Sequence, residues 1–93
     1  MLRDFKGIWI PRKIWINKDL NLMEKVMLAE IGRFESNEGC FFSNAYFADF
    51  FNVSKRQISR IISGLVERGY ITSEIEYEKD TRVVKKRVLK VLN

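Results

Sequence analysis

The stretch from Ser54 to Ser63 carries the side chains best suited to chemistry with a partner. Arg56, Gln57 and Arg60 lie within a few residues of one another, with Lys55 just before them. A guanidinium presents a planar fork of donors that matches two adjacent acceptors, and an amide offers a donor beside an acceptor. Ser59 and Ser63 are small enough for a backbone to come close to another surface. At about 100° per residue, Ile58, Ile61, Ile62 and Leu65 fall on one arc of a helix. Arg56, Ser59, Arg60 and Ser63 fall on the opposite arc, with Glu67 lower down and Lys55 and Gln57 flanking the N-terminal end. Such a helix must bury its isoleucines and can turn its other side toward something polar and anionic.

Other chemistries are poorly supplied. There is no histidine, so no Ser-His-Asp or Cys-His arrangement and no His-ligated metal site can be built. The single cysteine, Cys40, cannot form an internal disulfide and reads as a small buried residue. The five glycines are scattered, so no phosphate-binding glycine loop exists. The chain is therefore not expected to be an enzyme, and neither a cofactor nor a metal is expected. Its net charge of +5 and pI of about 9.6 point to a polyanion, with nucleic acid first and an anionic membrane surface second. The basic residues do not follow one long amphipathic helix, which disfavours the membrane. No apolar run approaches the ~20 residues that span a bilayer, and residues 1–6 lack the apolar core of a secretion signal. A cytoplasmic location is the expectation.

The 93 residues, 46% of them hydrophobic, suit one domain with one small core. Residues 5–10 read as a short strand that Pro11 must end or confine to an edge. Pro11 also suits the start of a helical turn holding Ile14 and Trp15. Asn21 and Glu24 have capping-box spacing and open a helix to about Phe34, with Met23, Val26, Met27, Ile31 and Phe34 on an apolar arc. Glu30 falls inside that arc and is expected to find a structural partner among the basic residues. Glu38-Gly39 reads as a turn and Cys40 to Phe42 as a short strand. Ser43 then caps a second helix, Asn44 to Phe51, with Phe42 and Phe47 at staple spacing. Asn52 tolerates the left-handed conformation that ends a helix. Ser54 opens the third helix, with Gln57 at capping-box spacing and Val53 and Ile58 as a second staple, and Gly69 stops it beside Arg68.

After Gly69 the period changes from helical to alternating. Ile71, Ser73, Ile75 and Tyr77 alternate with Thr72, Glu74, Glu76 and Glu78, a half-buried strand. Residues 79–81 are the turn, and Arg82 to Leu92 form a second strand whose imperfect alternation implies a bulge or twist. Positive charge gathers at the N-terminus and after residue 54, while residues 19–53 are net acidic. Two short helices on a tight turn, the second capped and basic, followed by a hairpin, make a winged helix-turn-helix. The predicted class is α+β, with three helices, a small antiparallel sheet and a C-terminal β-hairpin wing. Residues 1–93 form one domain, with the helix-turn-helix at 43–69 and the wing at 70–92.

Ala48, Asn52, Ile58 and Ile61, with Phe47, Phe51 and Val53 between, resemble the helix-turn-helix signature, although that signature usually has Gly where this chain has Asn52. More narrowly, FKGIWIPRKIWINKDLNLMEKVMLAEI, GCFFSNAYFADFFNVSKRQISRIISGLVERGYI and the following hairpin are similar to the N-terminal winged-helix domain of replication-initiation or replisome-organiser proteins of phages and mobile elements of Gram-positive bacteria. The resemblance covers nearly the whole chain and implies binding of double-stranded DNA through Lys55 to Ser63. Arg56, Gln57 and Arg60 are expected to read bases, with Lys55, Ser59 and Ser63 on phosphate or base. Lys79 and Arg82 near the hairpin tip are the wing's candidates for phosphate contact. Such replication proteins usually continue into a second domain, so the chain is expected to be either an excised domain or a stand-alone protein.

Plainer readings stand beside these. Arg82, Lys85, Lys86, Arg87 and Lys90 can face Glu74, Glu76 and Glu78 across the ladder, which would largely neutralise the hairpin. Trp9 and Trp15, beside Ile8, Ile10 and Ile14, are expected in a core or interface rather than stacked on bases. Arg12, Lys13 and Lys18 are either a phosphate-contacting arm or solvated surface. Phe41, Phe42, Phe47, Phe50 and Phe51 are expected in the core. Besides DNA, a second copy of the chain and replication proteins are candidate partners. A transcriptional regulator with the same chemistry and a winged helix used for protein contacts are the rival roles.

Overall fold

The computed structural model describes residues 7–33, 43–79 and 81–92, without the side chains of Val84 and Lys85. Helices α1 (Arg12–Trp15), α2 (Leu22–Arg33), α3 (Asn44–Phe51) and α4 (Lys55–Glu67) precede strands β1 (Ile71–Tyr77) and β2 (Val84–Val91). This is the predicted α+β winged layout with one more short helix. The expected strand over residues 5–10 is absent from its described part, residues 7–10. Gly7 sits at φ +133 and Pro11 lacks an amide donor, so the segment is poorly suited to a ladder at both ends. Pro11 instead caps α1, its carbonyl accepting from the amides of Ile14 and Trp15 at 3.0 Å.

Asn21 and Glu24 open α2 with a reciprocal box. The Glu24 amide donates to Asn21 Oδ1 at 2.8 Å, and the Asn21 amide donates to Glu24 Oε1 at 2.9 Å. Ser43 and Ser54 cap α3 and α4 by accepting from the amides of Tyr46 and Gln57. Both helices end in the same two-bond motif. At α3, Asn52 takes φ 58 and ψ 48 while Val53 and Asn52 donate to the carbonyls of Ala48 and Asp49. At α4, Gly69 takes φ +83 while Tyr70 and Gly69 donate to those of Leu65 and Val66. Asn52 accommodates the left-handed backbone in place of the usual glycine.

The core lies where α2, α3, α4 and the base of the hairpin meet. Met27, Leu28, Ile31, Phe47, Ile58, Leu65, Ile71 and Leu89 are buried there. Ile61, Phe51 and Val53 pack against them half-buried. Full burial of each isoleucine or leucine is worth about 1.5–3 kcal/mol. Glu30 is also fully buried, and the Tyr46 hydroxyl donates to its Oε2 at 3.2 Å. Phe47 alone of α3's phenylalanines is fully buried; Phe50 stacks on Tyr46 at 6.1 Å.

β1 and β2 pair antiparallel from Ile71↔Val91 to Tyr77↔Val84, with the register slipping between Glu76 and Tyr77. The slip is the expected bulge. The register also decides which charges stand directly opposite one another. Glu76 meets Lys86, 3.6 Å apart, but Glu74 stands opposite Val88, and Arg87 stands opposite Ile75. Acids at every second position cannot all face cations that run consecutively. Nor is β1 half-buried along its length: only Ile71 is buried, and Ile75 and Tyr77 are about half exposed. The hairpin is anchored at its base by Ile71, Val88 and Leu89 and projects from the body beyond them.

Expectations for Phe34, the Glu38-Gly39 turn, the Cys40–Phe42 strand, the Phe42 staple and Asp80 in the hairpin turn lie outside the described residues.

Candidate nucleic-acid interface

Seating Ile58, Ile62 and Leu65 in the core fixes the rotation of α4, and the rest follows from helical geometry. Lys55, Arg56, Gln57, Ser59, Arg60 and Ser63 are all exposed. None of the three cations forms an ion pair among the described residues. Because Ser54 Oγ takes the Gln57 amide, the amides of Lys55 and Arg56 remain at the positive end of the helix, where an anion is favoured. Asn52, Val53 and Ser54 separate α3 from α4, and Val53 packs inward, so α3 supports α4 from behind.

The other end of α4 is built differently. Arg68 Nη1 donates to Glu24 Oε2 at 2.7 Å, and its Nη2 donates to the Asp19 carbonyl at 2.7 Å and to Asp19 Oδ2 at 3.2 Å. The guanidinium also lies 5.4 Å from the Tyr70 ring. The Tyr70 hydroxyl donates to Asp19 Oδ2 at 2.9 Å and accepts from Asn17 Nδ2 at 3.1 Å. The Tyr70 hydroxyl and the Arg68 guanidinium hold the Asp19 carboxyl below its ordinary range. At Glu24 partial burial pushes upward, but the Arg68 bond and the Asn21 amide outweigh it, and the net shift is downward. The two carboxylates in turn hold Arg68 firmly protonated. Arg68 therefore ties α4 to α2 and the segment before it, a role for which the helix-end position alone gave no sign.

Lys79 and Arg82 are both exposed at the far end of the hairpin, where the Glu78 amide donates to the Val83 carbonyl at 2.8 Å. The hairpin base is tied to α3, since Arg87 Nη1 donates to Asn44 Oδ1. The structure brings the six α4 residues onto one surface and carries Lys79 and Arg82 on a separate projection.

A family model described as a helix-turn-helix domain matches residues 18–71. The chain belongs to that family. No curated protein and no solved structure matches it. The matched span runs from the segment before α2 to the first residue of β1, so it contains the Arg68 anchor as well as both helices of the motif. In a helix-turn-helix domain the second helix of the pair is the one that enters the major groove. Here that helix is α4, and membership points to DNA as the partner. Among the described residues no group of acidic, cysteine or histidine side chains could hold a metal ion, and no helix is long and apolar enough to cross a membrane.

The tryptophans lie outside the core. Trp9 is 78% exposed and Trp15 54% exposed, so neither belongs to the core. Lys25 Nζ sits 5.1 Å from the Trp15 ring and donates to its carbonyl at 2.6 Å. Of the two expected settings, core or interface, the core is thus set aside.

Proposed function

We propose that the chain binds double-stranded DNA with sequence preference by seating α4 in the major groove. Arg56, Gln57 and Arg60 read base edges, an arginine matching the paired acceptors of guanine and the amide the acceptor and donor of adenine. Lys55, Ser59 and Ser63 hold phosphate or base, and Lys79 and Arg82 add phosphate contacts from the wing. In this reading residues 1–93 act as one winged-helix domain. The observation that carries it is the exposed face of α4, whose cations have no acidic partner among the described residues.

The biological role we propose is replication initiation on a phage or mobile element of a Gram-positive host. It rests on the resemblance, which extends beyond the helix-turn-helix into the N-terminal segment and the hairpin. Sequencing genomic fragments captured by the chain tests both levels. Enrichment of repeated sites within a replication origin supports the role, whereas a palindrome in front of a gene replaces it with transcriptional regulation. Titration with duplex oligonucleotides tests the binding itself. Log affinity should fall with log salt at about −0.9 per neutralised phosphate. No uptake in dilute buffer removes the proposal.

A further inference from the structure

The hairpin carries Lys79 and Arg82 at one end and is seated in the core at the other, so its angle to α4 has to be set in between. Alternate residues of a strand share a face, which puts Val91, Leu89 and Arg87 of β2 in one row opposite Ile71, Ser73 and Ile75 of β1. The row starts in the core, where Ile71 and Leu89 are buried and Val91 packs against them. Further out lies Arg87, whose Nη1 donates to Oδ1 of Asn44, the first residue of α3. Ile75, opposite Arg87 on the ladder, is already half exposed. Five residues separate Arg82 from Arg87, at most about 16 Å of extended chain. Over that length a rotation of about 20°, no more than an ordinary inter-strand twist, displaces the tip by about 5 Å. A bond between a cation and a phosphate is lost over a much smaller distance. The ribbon itself resists such a rotation poorly, since two strands alone are marginal and the register slip at Glu76–Tyr77 interrupts the ladder.

We propose that Asn44 and Arg87 are positioning residues for DNA binding: by fastening β2 to the start of α3, they hold Lys79 and Arg82 at a fixed angle to α4. The choice of helix matters. α3 supports α4 from behind, so a bond to its first residue refers the wing and the reading helix to one support. Asn44 is half-buried, and the Ser43 cap fixes the turn that carries it. Both residues act through the tip cations rather than on the duplex, and their role rests on the reading of α4 and the wing as the DNA surface.

Two measurements on the whole chain test this, one of them without DNA. Amide residual dipolar couplings of the native chain should fit a single alignment for α2, α3, α4 and hairpin residues 73–77 and 84–88. In Asn44→Ala the helices should keep that alignment while the hairpin couplings depart from it. Alanine suits a helix and leaves the Ser43 cap in place, so α3 should stay folded. Asn44→Asp keeps the acceptor and should restore the native fit. In duplex titrations Asn44→Ala removes no charge, yet it should flatten the slope of log affinity against log salt by up to about 1.8, the share of Lys79 and Arg82 together. Adding Lys79→Ala and Arg82→Ala to it should flatten the slope no further, and the preferred sequence should hold. Unchanged hairpin couplings in Asn44→Ala would overturn the proposal. So would a native salt slope in that variant, or a loss that adds to that of the tip substitutions, which would make Asn44 a phosphate contact in its own right. No uptake of duplex by the native chain would strike the DNA reading instead, and the couplings alone would then judge whether Asn44 sets the angle of the hairpin.

Discussion

The two ends of α4 carry the same kind of side chain in opposite circumstances. At the N-terminal end Lys55, Arg56 and Arg60 are exposed and have no acidic partner among the described residues. At the C-terminal end Arg68 meets two carboxylates, a backbone carbonyl and an aromatic ring. A cation already supplied with partners serves the fold, because a ligand would have to displace contacts of equal quality. One without partners is supported only by water, and a phosphate or a guanine edge can replace that water at little cost. The helix thus separates an outward-reading end from an anchored end, and the anchor keeps the reading end at a fixed angle to the body.

The widest gap between the two ends should appear in DNA selectivity. Changing Arg56 and Arg60 together to Ala should abolish discrimination between DNA sequences, since each arginine–guanine pair is worth about 1–3 kcal/mol of preference. The melting temperature should hold, because neither side chain touches the core. Competition assays between a selected site and a scrambled duplex measure this, and unchanged discrimination would remove the assignment of α4 as the reading helix.

Arg68→Ala should behave in the reverse way, lowering thermal stability while leaving the order of preferred DNA sites unchanged. The pH dependence follows from the carboxylates it holds. Asp19 and Glu24 have folded-state pKa values below their ordinary 3.8 and 4.5, so their contribution is complete above those values. It is lost as pH falls through the depressed ones. The native chain should therefore lose stability as pH drops below about 4.5, and Arg68→Ala should show a shallower loss over the same range. Equal slopes in acid thermal melts of the two proteins would contradict the anchor.

Much of this division could be read from the sequence, and the unread part has one physical cause. Caps, left-handed stops and the isoleucine arc of α4 are local signals, set by side chains within about four residues of one another, and Ser43, Asn52, Ser54 and Gly69 act as their types require. The anchor joins Arg68 to Asp19 and Glu24 across more than forty positions, and no spacing rule links such residues. Glu30 was visible as an acid on an apolar arc, yet its meeting with Tyr46 depends on how α2 packs against α3. Which hairpin charges stand opposite one another depends on the register, which puts Glu76 against Lys86 but Glu74 against Val88, and the charge pattern alone does not fix it. The sequence left open whether Trp9 and Trp15 join the core or an interface, and only their exposure sets the core aside.

Ser54 offers a smaller test, one that links the fold to the reading end. Replacing it with Ala removes the acceptor of the Gln57 amide and should cost about 1 kcal/mol of stability, seen as a lower midpoint in urea. Affinity for duplex should fall only slightly, since the freed amide can still face a phosphate.

The smallest expected effect belongs to the wing. Lys79 and Arg82 sit on a projection anchored only at its base, and Glu76 and Glu78 stand close by in the chain. Their contribution should be purely electrostatic. Changing both to Ala should therefore reduce the slope of log affinity against log salt by up to about two phosphates' worth, roughly 1.8 in magnitude, with the preferred sequence unchanged. A slope equal to that of the native chain would mean that the hairpin stays clear of the duplex and that α4 does the binding alone. A change in the preferred sequence would mean that the wing reaches base edges, and the contrast between a reading helix and a merely supportive hairpin would have to be redrawn.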